Sequence, residues 1–313
     1  ERGRSYGGDG MTNVAVMQLD GKVPNLALMQ IASYHKKIGD TVQWWDGPLF
    51  PCDKVYASKI FSFTNADLPE YVVLGGTGVN VQGRLPVEME GVGIADAWDL
   101  YPKYKNHIGF SERGCRLSCS FCVVPAKDGR PKKDATIEEL LNNPRGEDRL
   151  VLLDDDFLGH PEAEDVFAEL IDRNLTVNFI CGLNIRLITE KQAELLSKTK
   201  FISNSFRHKQ VSFAWDNIKD ERFILRGFNR CVEAGIKPRE MQFFVLIGYD
   251  STHEEDMHRV QTIRSLGCDP FVMAYDRKDQ YQNYFQRWVN HRAIFNSVKF
   301  EDYKPATKKE RKP

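Results

Sequence analysis

The feature that most constrains this chain is its repeated alternation of short apolar strands with amphipathic helices. A strand that returns parallel to its predecessor needs a crossover of helix length, so the alternation points to parallel, helix-covered sheets. It begins with a strand at 14–19 and a helix at 26–37, where Leu26, Leu28, Met29, Ile31 and Tyr34 fall at helical spacing ahead of Gly39. Segments 41–45, 54–63 and 71–74 read as further strands, the last running into Gly75-Gly76-Thr77-Gly78. Strand–helix–strand order with glycine-rich strand ends predicts an α/β protein whose first domain, residues 11–101, is a Rossmann-like parallel sheet.

From residue 102 a βα unit recurs about six times. Strands are expected at 107–112, 150–157, 176–183, 210–216, 241–248 and 270–275, with helices at 137–142, 163–173, 190–197, 221–234 and 253–266. Thr189 and Thr252 stand where helix N-caps belong, and Gly235 and Gly267 follow helix ends. This pattern predicts a partial (β/α)6 barrel over 102–278, with chemistry gathered at the C-terminal ends of its strands. Residues 279–313 read as a C-terminal helix and tail. Tyr281, Tyr284, Phe285, Trp288, Phe295, Phe300 and Tyr303 form an aromatic stripe there that is expected to pack as core. Residues 1–10, rich in Gly and Arg ahead of Met11, read as a leader or an expression remnant, or else as a flexible native arm.

At 42% hydrophobic and 28% charged residues the balance is that of a globular domain, and a formal net charge of −1 gives no field that would favour nucleic acid. The basic run Lys308-Lys309-Glu310-Arg311-Lys312 is expected to be solvated. No apolar run approaches the roughly 20 residues of a membrane helix, and no signal-peptide pattern is present. Seven cysteines, an odd number, fit reduced thiols in the cytoplasm better than a disulfide framework.

Three of those cysteines stand in Arg113-Gly114-Cys115-Arg116-Leu117-Ser118-Cys119-Ser120-Phe121-Cys122, directly after the first strand of the repeat. Three thiolates on one loop can ligate three irons of a 4Fe–4S cube and leave the fourth iron open to a small molecule. A zinc site would want a fourth residue, such as a distant His. The C-x3-C-x2-C spacing, with an aromatic residue before the third Cys, resembles the radical S-adenosylmethionine superfamily. The resemblance implies that Cys115, Cys119 and Cys122 hold the cluster and that its open iron binds S-adenosylmethionine. One electron would then cleave this cofactor to methionine and a 5′-deoxyadenosyl radical, which abstracts hydrogen from a substrate. It also implies an electron donor such as flavodoxin or ferredoxin, and places Phe121 beside the cofactor.

Further candidates fall on the same strand ends. Asp154-Asp155-Asp156 stands where the family carries Gly-Gly-Glu for the cofactor's amino group, and Asp154 and Asp156 share a strand face. Asn184 and Arg186 resemble positions that meet the cofactor's carboxylate or ribose, with a surface ion pair as the other reading. Asp216 is expected to touch the cofactor or cap the next helix, and Gly248 to let the adenine approach. Cys181, Cys231 and Cys268 are expected to be buried thiols.

The first domain resembles those of two branches of the superfamily. One binds cobalamin and includes methyltransferases, but its D-x-H-x-x-G signature is absent, and His35 reads as a helix-end residue. The other comprises methylthiotransferases acting on RNA or protein, which Cys122-Val123-Val124-Pro125 and Gly129-Arg130 resemble. Cys52 is the only cysteine ahead of residue 102, so that domain lacks the thiolates for a second cluster of its own. Over 14–303 the likeness is greatest to members with a degenerate cobalamin-type domain. The non-enzymatic alternative is a binding protein stabilised by zinc or by a cluster.

Overall fold

The computed structural model describes residues 11–304. The stretch 1–10 and the basic run after residue 304 lie outside the described residues. The chain divides into two compact units, one of residues 11–108 with 141–147 and one of residues 109–140 with 148–304. Both are α/β units built on parallel sheets.

The first unit contains β1 (Asn13–Gln18), α1 (Leu26–Lys37), β2 (Thr41–Trp44), β3 (Lys54–Ser58) and β4 (Val72–Gly75). All the pairings are parallel, in the order β2-β1-β3-β4. The central strand is fully buried at Val14, Ala15 and Val16. On α1, Leu28, Met29, Ile31 and Ala32 are buried at the i, i+3, i+4 spacing of an apolar stripe. Asn25 opens the helix, its side chain accepting from Leu28 N at 3.1 Å. A second cluster joins Ala15, Val55, Ala57 and Val72 to Met17, Trp45, Leu68 and Leu74. Strand β3 ends at Ser58 and does not run on to residue 63. The Asp20 carboxylate accepts from Ile60 N at 2.8 Å, Phe61 N at 3.0 Å and Thr64 Oγ1 at 2.6 Å, and so turns this backbone away from the sheet.

The second unit is entered on β5 (His107–Gly109), the strand on which the division falls, followed by β6 (Glu112–Arg113), α2 (Val124–Lys127), β7 (Lys132–Lys133) and α3 (Ile137–Leu140). Then come β8 (Arg149–Leu152), α4 (Ala163–Asp172), β9 (Thr176–Phe179), α5 (Glu190–Lys198), β10 (Lys200–Phe201) and β11 (Val211–Ala214). The rest is α6 (Glu221–Glu233), β12 (Met241–Ile247), α7 (His253–Ser265), β13 (Asp269–Ala274), α8 (Gln280–Asn290) and α9 (Arg292–Ser297). One sheet has the order β10-β9-β8-β5 and the other β11-β12-β13, joined by a parallel bridge between Leu183 and Phe213.

Helix ends follow local chemistry. Thr189 and Thr252 each form a capping box, with Gln192 and Glu255 respectively. Gly235 and Gly267 take the left-handed conformation that closes α6 and α7. Strand ends differ from expectation. The segment 107–112 breaks into β5 and β6, and β6 pairs antiparallel with β7. Strand β8 stops at Leu152, where the aspartate run leaves the sheet. The aromatic stripe packs as core: Phe285, Trp288 and Phe295 are buried, and Phe300 closes on Phe285 and Trp288.

Gly227, inside α6, is tied to this packing, because a Cβ there would collide with the Ile185 carbonyl. Gly→Ala in a helix interior ordinarily stabilises by about 1 kcal/mol, whereas overpacking costs about 1–3 kcal/mol. Gly227→Ala is therefore expected to lower the denaturant midpoint of unfolding, and a raised midpoint would contradict the tight α6 contact.

Candidate functional site at the cysteine loop

The loop that follows β6 turns at Gly114, whose φ of +94° suits glycine, and a Cβ there would strike the Arg130 carbonyl. Cys115 N donates to Gly129 O at 3.0 Å, and Arg130 Nη1 donates to Arg116 O at 2.7 Å, so the loop closes on its own return segment. Cys122 N donates to Cys119 O at 3.0 Å, which makes a tight turn between the second and third cysteines. Cys115, Cys119 and Cys122 are free thiols, all partly buried.

The aspartate run clamps this loop residue by residue. Asp154 accepts from Ser111 N at 2.7 Å and from the Ser111 hydroxyl. Asp155 Oδ2 accepts from Gly114 N at 2.8 Å. Asp156 accepts from Arg116 Nε at 2.7 Å, Arg116 Nη2 at 3.1 Å and Arg116 N at 3.3 Å. Glu112 Oε1 in turn accepts from Asp156 N at 2.7 Å, while its Oε2 is buried without a partner. The strand alternation expected to set Asp154 and Asp156 apart from Asp155 is lost, because β8 has ended and all three side chains reach the loop. Glu112 and Arg116 complete this network; their only sequence signal is adjacency to the cysteines.

Burial raises the pKa values of Glu112, Asp154 and Asp155. Burial, reinforced by the three aspartates, pushes Glu112 up to about 8 against the opposing Asp156 N–H. Burial likewise pushes Asp154 up to about 7, against the hydrogen bonds from Ser111. The Cys115 thiol is pushed up to about 11 by burial, and Cys122 is raised by the same cause.

The other candidates from the sequence lie in the same unit. Arg186 Nη1 binds Asp220 at 2.6 Å and its Nε binds Asn184 Oδ1 at 3.0 Å, so this guanidinium clamps a carboxylate of its own chain; it also reaches the Cys119 sulfur. Asp216 Oδ1 accepts from Leu246 N at 3.1 Å. Burial raises the Asp216 pKa, opposed by the charges of Arg259 and Arg186. Arg259 is fully buried and donates to Trp215 O at 3.0 Å and to Asp256. Gly248 has φ +75°, and a Cβ there would strike the buried Gln282 side chain, so its close neighbour is protein. Phe121 meets Tyr249 edge-on at 5.4 Å, and Tyr249 meets Tyr275 at 4.8 Å. Tyr249 was not among the sequence candidates.

Cys231 and Cys268 are buried as expected, but Cys181 is not. It lies just past β9, exposed, with Sγ donating to Leu153 O at 3.3 Å. Protein nevertheless surrounds it, and burial, then Asp155, Asp154, Glu112 and Cys122, push its thiol up to about 12.

In the first unit the residues do not fit a corrinoid. His35 is buried, with Nδ1 on Asp40 at 2.7 Å and Nε2 on Tyr56 at 3.1 Å, and His107 is buried against Asn143. The crevice between β1 and β3, where the strand order reverses, is bridged by Asp20. A Cβ on Gly76 or Gly78 would strike the backbone of Lys59 or Phe61, so this turn packs against protein.

Among the described residues no group of three or more His, Cys, Asp or Glu side chains is gathered so as to hold a single metal ion. A cube takes one thiolate per iron, which is a wider arrangement than three donors on one centre. No protein-family model matches the chain, and no curated protein matches it.

A carboxyl that keeps its proton to about pH 8 when folded, but only to the ordinary glutamate value when unfolded, gives the folded chain more bound protons between those limits. Stability of the metal-free protein should therefore fall as pH rises through that window and level off above it. Glu112→Gln is expected to flatten this fall, read as urea midpoints at several pH values, with Asp154 leaving a residual slope. An unchanged slope in the variant would contradict the assignment.

Proposed function

We propose that the chain is a radical S-adenosylmethionine enzyme, built from a Rossmann-like first domain and a partial (β/α)6 barrel. Cys115, Cys119 and Cys122 would hold a 4Fe–4S cluster. The observation that carries this reading is the loop: three unpaired thiols at C-x3-C-x2-C spacing, on a turn clamped by three consecutive carboxylates. When bound, the cluster supplies one-electron cleavage of S-adenosylmethionine, and with it hydrogen abstraction from a substrate.

The chain's own residues have separable tasks. Asp154, Asp155 and Asp156 fix the loop backbone, and Arg116 carries the Asp156 clamp into the segment between the first two cysteines. Because burial holds the Cys115 and Cys122 thiols protonated, loading the cluster must displace protons, so its retention strengthens as pH rises. The Arg186 guanidinium beside Cys119 offsets negative charge that the loaded loop would carry. Phe121, Asn184, Arg186 and Asp216 are the residues proposed to surround S-adenosylmethionine, whereas Gly248 packs on Gln282. The Phe121–Tyr249–Tyr275 aromatic series would help exclude water from the site. A low-potential carrier such as flavodoxin or ferredoxin would deliver the electron. The reading includes no corrinoid, because His35 and His107 are both engaged within the first unit.

The test is anaerobic reconstitution with iron and sulfide, followed by reduction with dithionite in the presence of S-adenosylmethionine. The wild-type protein is expected to turn brown and to form 5′-deoxyadenosine, and Cys119→Ala to form none. A colourless zinc protein, or continued 5′-deoxyadenosine formation by Cys119→Ala, would overturn the proposal.

A further inference from the structure

Cys181 has no part in the three-cysteine loop, yet it lies beside the aspartate run that clamps that loop. Its sulfur donates to the carbonyl of Leu153, the residue just ahead of the aspartate run, and its electrostatic neighbours include Asp154, Asp155 and Cys122. It is exposed where Cys231 and Cys268 are buried. The turn that presents it is fixed by Gly182 N donating to Phe179 O at 3.1 Å and by the left-handed Gly182, where a Cβ would press on the Phe244 ring.

A second feature nearby points to a ligand. Asn178, on β9, is 1% exposed, and its Nδ2 donates to Ile202 O at 2.9 Å and to Asn204 Oδ1 at 2.8 Å. Those bonds fix the orientation of the amide, and its Oδ1 is left buried with no partner. An unpaired buried carbonyl is destabilising, and a donor on a bound molecule would recover that loss. Phe179 packs on Phe157 and Phe167 of the helix layer, so Asn178 faces the opposite side of the sheet. Phe244 lies on that side too, since Phe243 next to it packs against Phe213 in the helix-facing core. Asn178, with its buried unpartnered acceptor, and Phe244, whose ring lies beside Gly182 next to Cys181, therefore share the face turned away from the helices.

We infer that Cys181 is a hydrogen-atom donor of this site, quenching a carbon-centred radical on a molecule bound against the helix-free face. The inference rests on the radical reading proposed above. In the step, the Cys181 S–H bond breaks homolytically and a C–H bond forms on the bound molecule, leaving a sulfur-centred radical. One electron from the low-potential carrier, or from dithionite in vitro, and one proton from solvent restore the thiol. A thiol S–H bond is weaker than an alkyl C–H bond, so the transfer runs downhill. The aspartates and Glu112 around Cys181 favour the neutral thiol that the step requires.

The S–H hydrogen exchanges with solvent, which supplies a test without the natural substrate. Reconstituted protein is incubated with S-adenosylmethionine and dithionite in deuterium oxide, and the deuterium content of each 5′-deoxyadenosine formed is measured by mass spectrometry. The wild-type product is expected to carry deuterium, and the product of both Cys181→Ala and Cys181→Ser to lose most of it, whatever the total formed. Equal labelling in wild type and variants overturns the inference while leaving the radical reading intact. No 5′-deoxyadenosine from the wild-type protein overturns both. Two further readouts are independent of turnover. Iron content should survive both substitutions, because loss of the cluster would make Cys181 a fourth ligand and not a donor. In metal-free protein, iodoacetamide should label Cys181 ahead of Cys231 and Cys268; protection of Cys181 equal to theirs would remove the accessible thiol that the inference requires.

Discussion

The clamp between the aspartate run and the cysteine loop is the interaction on which the candidate site depends. Asp154, Asp155 and Asp156 bond Ser111, Gly114 and Arg116 in turn, tying the end of one strand to the loop that follows another. Burial makes the charge of these carboxyls costly, and for Glu112 and Asp154 the neighbouring carboxylates add to that cost. The raised pKa values of Glu112, Asp154 and Asp155 express that cost. What offsets it is the set of N–H donors the loop supplies, together with the Arg116 guanidinium. The arrangement shapes the loop before any metal arrives, in keeping with preorganised sites whose supporting contacts matter as much as the ligands.

This view changes the role of the acidic run. From the sequence, Asp154 and Asp156 look like groups awaiting a cofactor's ammonium. In the structure Asp154 binds Ser111 ahead of β6 and Asp156 binds Arg116 behind it. Arg186 shows a related economy, meeting Asp220, Asn184 and the Cys119 sulfur from one guanidinium. Arg259 supports the far side of the site from complete burial, holding the Trp215 carbonyl next to Asp216.

Features set by local chemistry were legible in the sequence. The span of α1, the capping boxes at Thr189 and Thr252, the closing glycines of α6 and α7, and the parallel α/β character all follow from periodicity and neighbouring residues. Features set by side chains bonding across long separations were not. Strand β3 stops where Asp20 captures backbone 40 residues away, and β8 stops where Asp154 reaches Ser111, 43 residues away. Cys181 looked like an ordinary buried thiol because composition carries no sign of the turn at Gly182 that exposes it. The three loop cysteines stand out in the sequence by their spacing alone, whereas Glu112, Arg116 and Tyr249 gain meaning only from what they touch.

The central claim is that three thiolates hold an iron–sulfur cube with one iron open to a small molecule. Electron paramagnetic resonance of the reconstituted, dithionite-reduced protein, recorded with and without S-adenosylmethionine, tests it most directly. The account predicts the signal of a reduced 4Fe–4S cluster whose g-values shift when S-adenosylmethionine is added, because the ligand binds the open iron. A cluster signal indifferent to S-adenosylmethionine, or a protein that takes up zinc and gives no signal, would contradict it.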